Sequence, residues 1–161
     1  MELDPKSQIG NNIYDQINKS DPVIEISITP NRSDALGVRG IARDLSATNI
    51  GKLKPLKATK IIGKYDIQKE IKINKDVENN IYASFRLIKN IKNCESPRWL
   101  KNRLEAIGLR PINALVDVTN YLTYDLNRPL HVFDYDKINK GLEIRKARAG
   151  EKILALDDKE Y

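Results

Sequence analysis

The residues best suited to chemistry in this chain lie between positions 109 and 136. This segment holds the only histidine, His131, together with an adjacent threonine and asparagine, Thr119 and Asn120. A neutral imidazole with a side-chain hydroxyl or amide can hold a water molecule and stabilise a developing oxyanion without a metal ion. Such polar groups are costly inside an apolar framework unless each has a hydrogen-bond partner. The segment therefore predicts either a polar pocket or a group of structural caps.

A helix and a turn must position these side chains. The sequence predicts a helix over residues 113–126, followed by an irregular return over Pro129. If Thr119 and Asn120 lie on that helix, the return can bring His131 back beside them. The residues alone favour a structural interpretation, in which Thr119 and Asn120 cap a turn and His131 is a satisfied interior histidine.

Two acidic residues of the segment, Asp117 and Asp134, could suggest a metal pair. We expect them instead to act as caps or as partners of Arg110 and Arg128. The single cysteine, Cys94, excludes an internal disulfide framework and any multi-cysteine zinc site. Because the chain also has a single histidine, a His-rich metal site is excluded, and no metal is expected here.

The N-terminal third predicts a strand followed by a helix. Residues 24–28 alternate between apolar and polar side chains, as a strand does. Ser33 is expected to cap a helix that runs to about residue 49, with Asp34 in its first turn. Gly37 and Gly40 lie three residues apart inside this helix. We expect them to permit close packing of another element and not to form a phosphate-binding loop.

A second predicted helix precedes the central segment. Ser96 followed by Pro97 is typical of a helix start, with serine as the N-cap and proline at the first helical position. Gly108 is expected to end this helix. Trp99 falls in the apolar stripe of the helix, so it is expected to lie in the core and not to stack on a base.

Four further stretches alternate like strands, at residues 67–73, 81–91, 141–147 and 152–156. The last of these enters a turn and is expected to have no returning partner. An unpaired edge of this kind is one that folded domains normally avoid. The pattern therefore predicts that the domain is truncated at its C-terminal end.

The charge of the chain fits an anionic partner such as RNA. Its 161 residues include 28 Lys and Arg against 22 Asp and Glu, for a net charge of +6. No apolar run approaches the roughly 18 residues that would span a membrane, and the first ten residues lack the pattern of a signal peptide. A reduced cytoplasm is the expected compartment.

Several motifs, in order along most of the chain, resemble the beta subunit of bacterial phenylalanyl-tRNA synthetase. In the first part, T-P-N-R at 29–32 precedes a helix that carries G-I-A-R at 40–43. The second part resembles the editing domain of that subunit. Its matching motifs are S-P-R-W-L at 96–100, G-L-R-P-I-N at 108–113, V-D-V-T-N-Y at 116–121, P-L-H-V-F-D at 129–134 and G-E-K at 150–152.

The resemblance implies an α+β fragment of that subunit in three parts. Residues 1–55 correspond to part of the N-terminal strand-helix domain, 56–65 to a linker and 66–161 to the first half of an α/β editing domain. In the family this domain hydrolyses tRNA wrongly charged with tyrosine. Within it, the positions matching Thr119, Asn120 and His131 line the pocket, so His131 is expected to orient the water or the ribose. Thr119 and Asn120 are expected to hydrogen-bond the substrate.

The resemblance also implies partners. The family enzyme is an α2β2 heterotetramer that uses ATP and magnesium, neither of which this fragment is expected to bind, and its partners are tRNA(Phe) and the alpha subunit. Arg128 and Arg110 are the candidate RNA contacts. In the family, Gly-Gln usually replaces the pair Asn127-Arg128; asparagine tolerates a left-handed backbone, whereas the added arginine could bind the tRNA acceptor end or distort the site.

The independent activity of the chain is a separate question. The acidic residue that reads the tyrosine hydroxyl in the family corresponds to a position beyond Tyr161, and hydrogen bonding to that hydroxyl supplies the discrimination. The isolated chain is therefore expected to be inactive. The alternative is a non-catalytic truncated remnant that acts at most as an RNA-binding or structural module.

Overall fold

The computed structural model of the chain describes residues 7–13, 22–79, 81–155 and 158–161. Across these residues it contains three α-helices and two strands, which confirms the α+β class. They are α1 (Val38–Ala47), β1 (Glu70–Ile73), α2 (Arg98–Ala106), α3 (Ala114–Leu126) and β2 (Gly141–Ile144), with 3-10 turns at Ser33–Ala35 and Tyr135–Lys137.

The chain divides into two compact units, each assembled from two separate segments. The helical unit comprises residues 1–59 and 91–132, and the strand unit comprises residues 60–90 and 133–161. The expected domain limits at residues 55 and 66 stay a prediction.

The core of the helical unit forms where α2 packs against α3. Leu100 and Leu104, one turn apart on α2, are completely buried. Trp99, expected in the same core, is 55% exposed, and its ring makes an edge-to-face contact with Tyr121 at 5.6 Å. The expectation for Trp99 was wrong because the buried face of α2 is narrower than its apolar stripe: Ile107 is also exposed.

The two glycines permit close packing, as the sequence predicted: Gly37 lies against the end of α3, and Gly40 lies against the 3-10 turn at Ser33–Ala35. A Cβ atom at Gly37 would lie 2.7 Å from the backbone nitrogen of Asn127, and one at Gly40 would lie 2.2 Å from the carbonyl oxygen of Asp34. The start of the helix differs from the expectation. Ser33 opens a 3-10 turn, and the α-helix begins only after Gly37, whose extended backbone (φ −134°, ψ 161°) separates the two.

The ends of α2 follow the sequence closely, with one correction. By its backbone angles Pro97, and not Ser96, is the N-cap of α2. The Ser96 hydroxyl donates to a carboxylate elsewhere in the unit, so it does not cap the helix. Gly108, with φ of +81°, lies just beyond the C-cap, as predicted.

Two predicted strands do not form ladders among the described residues. Residues 24–28 and 81–91 form no strand, although burial alternates from Tyr82 to Ile88 as the predicted faces require. An alternating sequence specifies a half-buried surface, but a strand also needs a neighbouring backbone for its hydrogen bonds.

In the strand unit, β1 and β2 pair in parallel, with Glu70 opposite Gly141 and Ile73 opposite Ile144. Both strands are shorter than the stretches 67–73 and 141–147 that predicted them. Gly141 has a φ of +135°, and a Cβ there would lie 2.2 Å from the Glu70 carbonyl oxygen. Glycine is therefore required at this pairing.

The expected unpaired C-terminal strand is in fact paired. Ile153 and Tyr161 exchange two backbone hydrogen bonds of 3.0 Å, and the Ala155 N–H donates to the Lys159 carbonyl at 2.9 Å. Residues 158–161 thus return along 153–155 and supply the backbone partner that the strand was expected to lack. Leu156 and the adjoining turn residue lie outside the described residues.

Candidate functional site

Helix α3 is fixed at both ends by asparagine residues, and it carries the predicted pocket residues in its middle. The Asn113 side chain caps the first turn by accepting a hydrogen bond from the Val116 N–H at 3.1 Å. Asn127 ends the helix in the left-handed conformation, with φ of 54° and ψ of 46°. Both the helix limits and the left-handed asparagine were predicted from the sequence, and both are confirmed.

Thr119 and Asn120 are half-buried on α3. The Thr119 hydroxyl donates to the Val116 carbonyl at 2.7 Å, so its proton is used within the helix. Its oxygen still has acceptor capacity, and it can receive a hydrogen bond from a substrate hydroxyl or amide. Thr123, one turn further along, lies above it and approaches the Thr119 carbonyl at 2.8 Å.

Thr123 holds the returning segment against the helix. Its hydroxyl accepts a hydrogen bond from the Leu130 N–H at 3.2 Å and also lies 3.2 Å from the Arg128 carbonyl. Because a hydroxyl has a single proton, Thr123 donates to either the Thr119 or the Arg128 carbonyl at one time. The irregular return over Pro129 is therefore tied back to the helix, as the sequence required.

His131 follows directly on the tied segment and is exposed. The N–H of its neighbour Leu130 donates to the Thr123 hydroxyl. Thr123 lies one helical turn beyond Thr119 and three residues beyond Asn120 on the same helix. Contact between the His131 ring and the side chains of Thr119 and Asn120 stays a prediction. The sequence did not single out Thr123, although its i, i+4 relation to Thr119 was a usable signal.

Asp117 is a buried structural residue. The side chain is fully buried and accepts hydrogen bonds from the Ser96 hydroxyl at 2.5 Å and the Ile112 N–H at 2.9 Å. It thereby joins the segment before α2 to the loop before α3. The proposed pairing with Arg110 is corrected: that arginine is exposed, and the carboxylate is occupied by neutral donors.

Asp134 behaves as the predicted cap, accepting a hydrogen bond from the Asp136 N–H at 3.1 Å at the start of a 3-10 turn. Among the described residues, no group of three or more His, Cys, Asp and Glu side chains is arranged to hold a metal ion.

A cleft of about 620 Å³ opens where the start of α1 meets the end of α3. Three arginines and one aspartate contribute its charge. Its lining residues are Ser33, Asp34, Leu36, Arg39, Gly40, Arg43, Leu53, Leu126, Asn127, Arg128 and Pro129. Arg128 was predicted as an RNA contact, and it lies here, whereas Arg110 does not line the cleft.

Ion pairs on one wall of the cleft neutralise part of this charge. Asp34 pairs with Arg32 at 3.0 Å and with Arg43, while Asp44 pairs with the same two arginines. The hydrogen bond from Arg32 lowers the pKa of the Asp34 carboxyl to about 2, and Coulomb attraction to both arginines adds to it. Asp34 is therefore ionised throughout the neutral range.

Comparison with known proteins identifies the class of this domain. The family pattern described as the B3/4 domain matches residues 79–161. The chain therefore belongs to the B3/4 domain family.

The relatives named here give a more specific assignment, since each is a phenylalanine–tRNA ligase beta subunit. The chain is 50% identical to the protein from Ruegeria pomeroyi over 98% of its length, 49% identical to that from Paramagnetospirillum magneticum over 99%, and 46% identical to that from Brucella abortus over 100%. It spans 20% of the length of each of these relatives. The resemblance predicted from the motifs is confirmed.

The described part of the chain contains three α-helices that could be compared in length and hydropathy with a membrane span. None of them is both long and apolar enough to cross a bilayer.

Proposed function

We propose that this chain contributes to tRNA binding and to the editing hydrolysis of tyrosyl-tRNA(Phe) in phenylalanine–tRNA ligase. The observation that carries the proposal is the tie between Thr123 and the segment 128–130, which joins the turn before His131 to the helix of Thr119 and Asn120. Family membership and the names of the relatives support the same assignment.

The proposed reaction is hydrolysis of the ester between the tyrosyl carbonyl carbon and a ribose oxygen. A water oxygen bonds to the carbonyl carbon, the bond to the ribose oxygen breaks, and a proton passes to that ribose oxygen. His131 orients the water or the ribose, and Thr119 and Asn120 hydrogen-bond the substrate. None of these roles requires a metal ligand from this chain.

The larger assembly is part of the same proposal. The partners are tRNA(Phe) and an alpha subunit in an α2β2 heterotetramer, in the cytoplasm. ATP and magnesium serve aminoacylation by the whole enzyme, and no residue described here is assigned to them.

A second candidate function is a non-catalytic module that binds RNA or supports structure. It is favoured by the exposure of His131, since a hydrolytic imidazole is normally shielded from bulk water during reaction. The two candidates differ in whether the chain itself clears a mischarged tRNA.

The test is hydrolysis of tyrosyl-tRNA(Phe) by a ligase that contains this chain, because the isolated chain is expected to be inactive, with phenylalanyl-tRNA(Phe) as the substrate control. We expect His131→Ala to lower the rate by roughly 10²- to 10⁴-fold, as removal of a positioned acid–base group does. Lys137→Ala, at a side chain that is 86% exposed, is the matched variant and should leave the rate unchanged. Equal clearance by the wild-type ligase and by its His131→Ala variant would support the non-catalytic module instead.

Thr123 supplies a test of positioning. Thr123→Val removes the hydroxyl that holds the return, so hydrolysis should slow while tRNA affinity is retained. Thr123→Ser, which keeps the hydroxyl, should restore the rate. Equal rates for the valine and serine variants would show that the tie has no part in the reaction.

A further inference from the structure

The cleft between α1 and α3 has a floor that the fold holds in place. Gly37 brings the backbone of α1 against the end of α3, where a Cβ would lie 2.9 Å from the Tyr124 carbonyl oxygen. The left-handed Asn127 donates a side-chain hydrogen bond to the Ser33 carbonyl across the same junction. The charged side chains around the cleft therefore stand on backbone that is already positioned, which lowers the cost of binding.

The cleft keeps two positive charges that no carboxylate of the described residues neutralises. Arg43 and its neighbour Arg32 form ion pairs with Asp34 and Asp44, so their charges are neutralised. Arg39 donates only to a backbone carbonyl, that of Lys54, at 3.2 Å. Arg128 is exposed, and its side chain forms no ion pair with a described residue.

The positive lining continues beyond the cleft into a shallower groove of about 400 Å³. Arg39, Leu53 and Leu126 border both depressions. The groove adds Lys52 and Lys54 against a single acid, Asp125. A hydrogen bond from the Leu53 N–H to the Ser46 hydroxyl, at 3.2 Å, holds this lysine segment on α1.

We propose that the cleft of Arg39 and Arg128 binds phosphate groups of an RNA backbone. Guanidinium groups match phosphate oxygens through paired hydrogen bonds, and a row of basic groups suits successive phosphates. No aromatic side chain is among the described residues lining the cleft or the groove, so bases have no stacking platform there. Recognition is therefore through the backbone and independent of sequence. The inference rests on the proposed function only in taking tRNA as the RNA.

The geometry links this surface to the proposed pocket. Arg128 is one of the residues that line the cleft, and its carbonyl lies at the Thr123 hydroxyl. His131 follows three residues later. A phosphate held at Arg128 would thus be anchored on the same turn that carries the histidine.

The experiment measures tRNA(Phe) affinity of the full chain against salt concentration, using Arg39→Gln, Arg128→Gln and the double variant. Arg86→Gln is the matched control, because Arg86 is exposed and donates only to a backbone carbonyl, like Arg39. Each cleft variant should weaken binding by about five- to tenfold at low salt. Each should also reduce the slope of log K against log salt by about 0.7–0.9, and the control should do neither.

Charge-preserving variants keep the test informative if a glutamine variant fails to fold. Arg39→Lys and Arg128→Lys should retain the salt slope but lose part of the affinity, because lysine cannot bind bidentately. A second arm titrates inorganic phosphate. If the cleft variants weaken phosphate binding but leave the tRNA affinity and slope unchanged, the cleft is a site for free anions and the RNA proposal is overturned.

Two other outcomes separate this inference from the proposed function. If His131→Ala abolishes hydrolysis while the cleft variants bind tRNA like the wild type, the phosphate site is wrong and the editing role stands. If the cleft variants lose affinity and slope while no hydrolysis occurs, the phosphate site is supported without the editing role. A folded wild-type chain that binds no tRNA at low salt overturns the phosphate site outright.

Discussion

Replacing Gly40 by alanine should destabilise the chain, although helix propensity alone predicts the opposite. Gly40 lies inside α1, where alanine is normally favoured over glycine by about 1 kcal/mol. In this structure the added Cβ would lie 2.2 Å from the carbonyl oxygen of Asp34 and 2.8 Å from the Cα of Ala35. Both are backbone atoms, so no side-chain rotation can relieve the contact.

The magnitude follows from how far the 3-10 turn must move. An ordinary contact begins at 3.4 Å, so the turn has to retreat by about 1 Å from its present position. Overpacking of this kind costs typically 1–3 kcal/mol. After subtraction of the helix-propensity gain, we expect the free energy of unfolding to fall by up to about 2 kcal/mol.

Urea denaturation of the chain, followed by circular dichroism, measures the effect. Gly51→Ala is the control, because that glycine lies in the same unit, has no positive φ and has open space around its Cβ position. It should be neutral or gain about 0.4–1 kcal/mol through the unfolded chain. If Gly40→Ala instead raised the free energy of unfolding by the roughly 1 kcal/mol that helix propensity alone predicts, the close approach of α1 to the 3-10 turn would be refuted.

Three further outcomes are expected. Asp117→Asn should lower the free energy of unfolding by about 1–3 kcal/mol, because one buried hydrogen-bond acceptor is lost. Ser96→Ala should lower it by about 1 kcal/mol. If both variants were as stable in urea as the wild type, the buried hydrogen bonds would be contradicted. The pKa of Asp34 is lowered from 3.8 to about 2 by its hydrogen bond from Arg32, so its stabilising contribution is complete above about pH 4 and is lost as the pH falls through 2. Acid titration should therefore show Asp34→Asn to be less stable than the wild type at pH 6, with the difference shrinking as the pH falls through 2. Asn127→Ala should cost about 1–2 kcal/mol in thermal unfolding because alanine resists the left-handed backbone, whereas Asn127→Gly should cost less.

Local signals in the sequence predicted the parts of the site that depend on nearby residues. The helix over 113–126 and the left-handed backbone that Asn127 tolerates follow from side-chain chemistry within a few positions. Gly37 and Gly40 could be interpreted as packing residues because their spacing fits no phosphate-binding loop. These features need no knowledge of distant neighbours.

Features that depend on long-range partners could not be predicted in this way. Ser96 was expected to cap α2, but its hydroxyl reaches Asp117, 21 positions away. Arg39 carries no local signal for a cleft, since its position there depends on how α1 meets the end of α3. The alternating stretches at 24–28 and 81–91 specify a half-buried surface, but they do not specify a partner strand.

The turn from Asn127 to Leu130 explains how the departure from the family's usual Gly-Gln can be accommodated. The left-handed backbone is kept by Asn127, and the bonds to Thr123 use the carbonyl of Arg128 and the N–H of Leu130. Both of those groups belong to the backbone, so they do not depend on which side chain stands at position 128. The arginine is therefore free to add charge to the cleft without distorting the return. The backbone geometry therefore gives Arg128 no part in disrupting the return, and its contact with RNA stays a prediction.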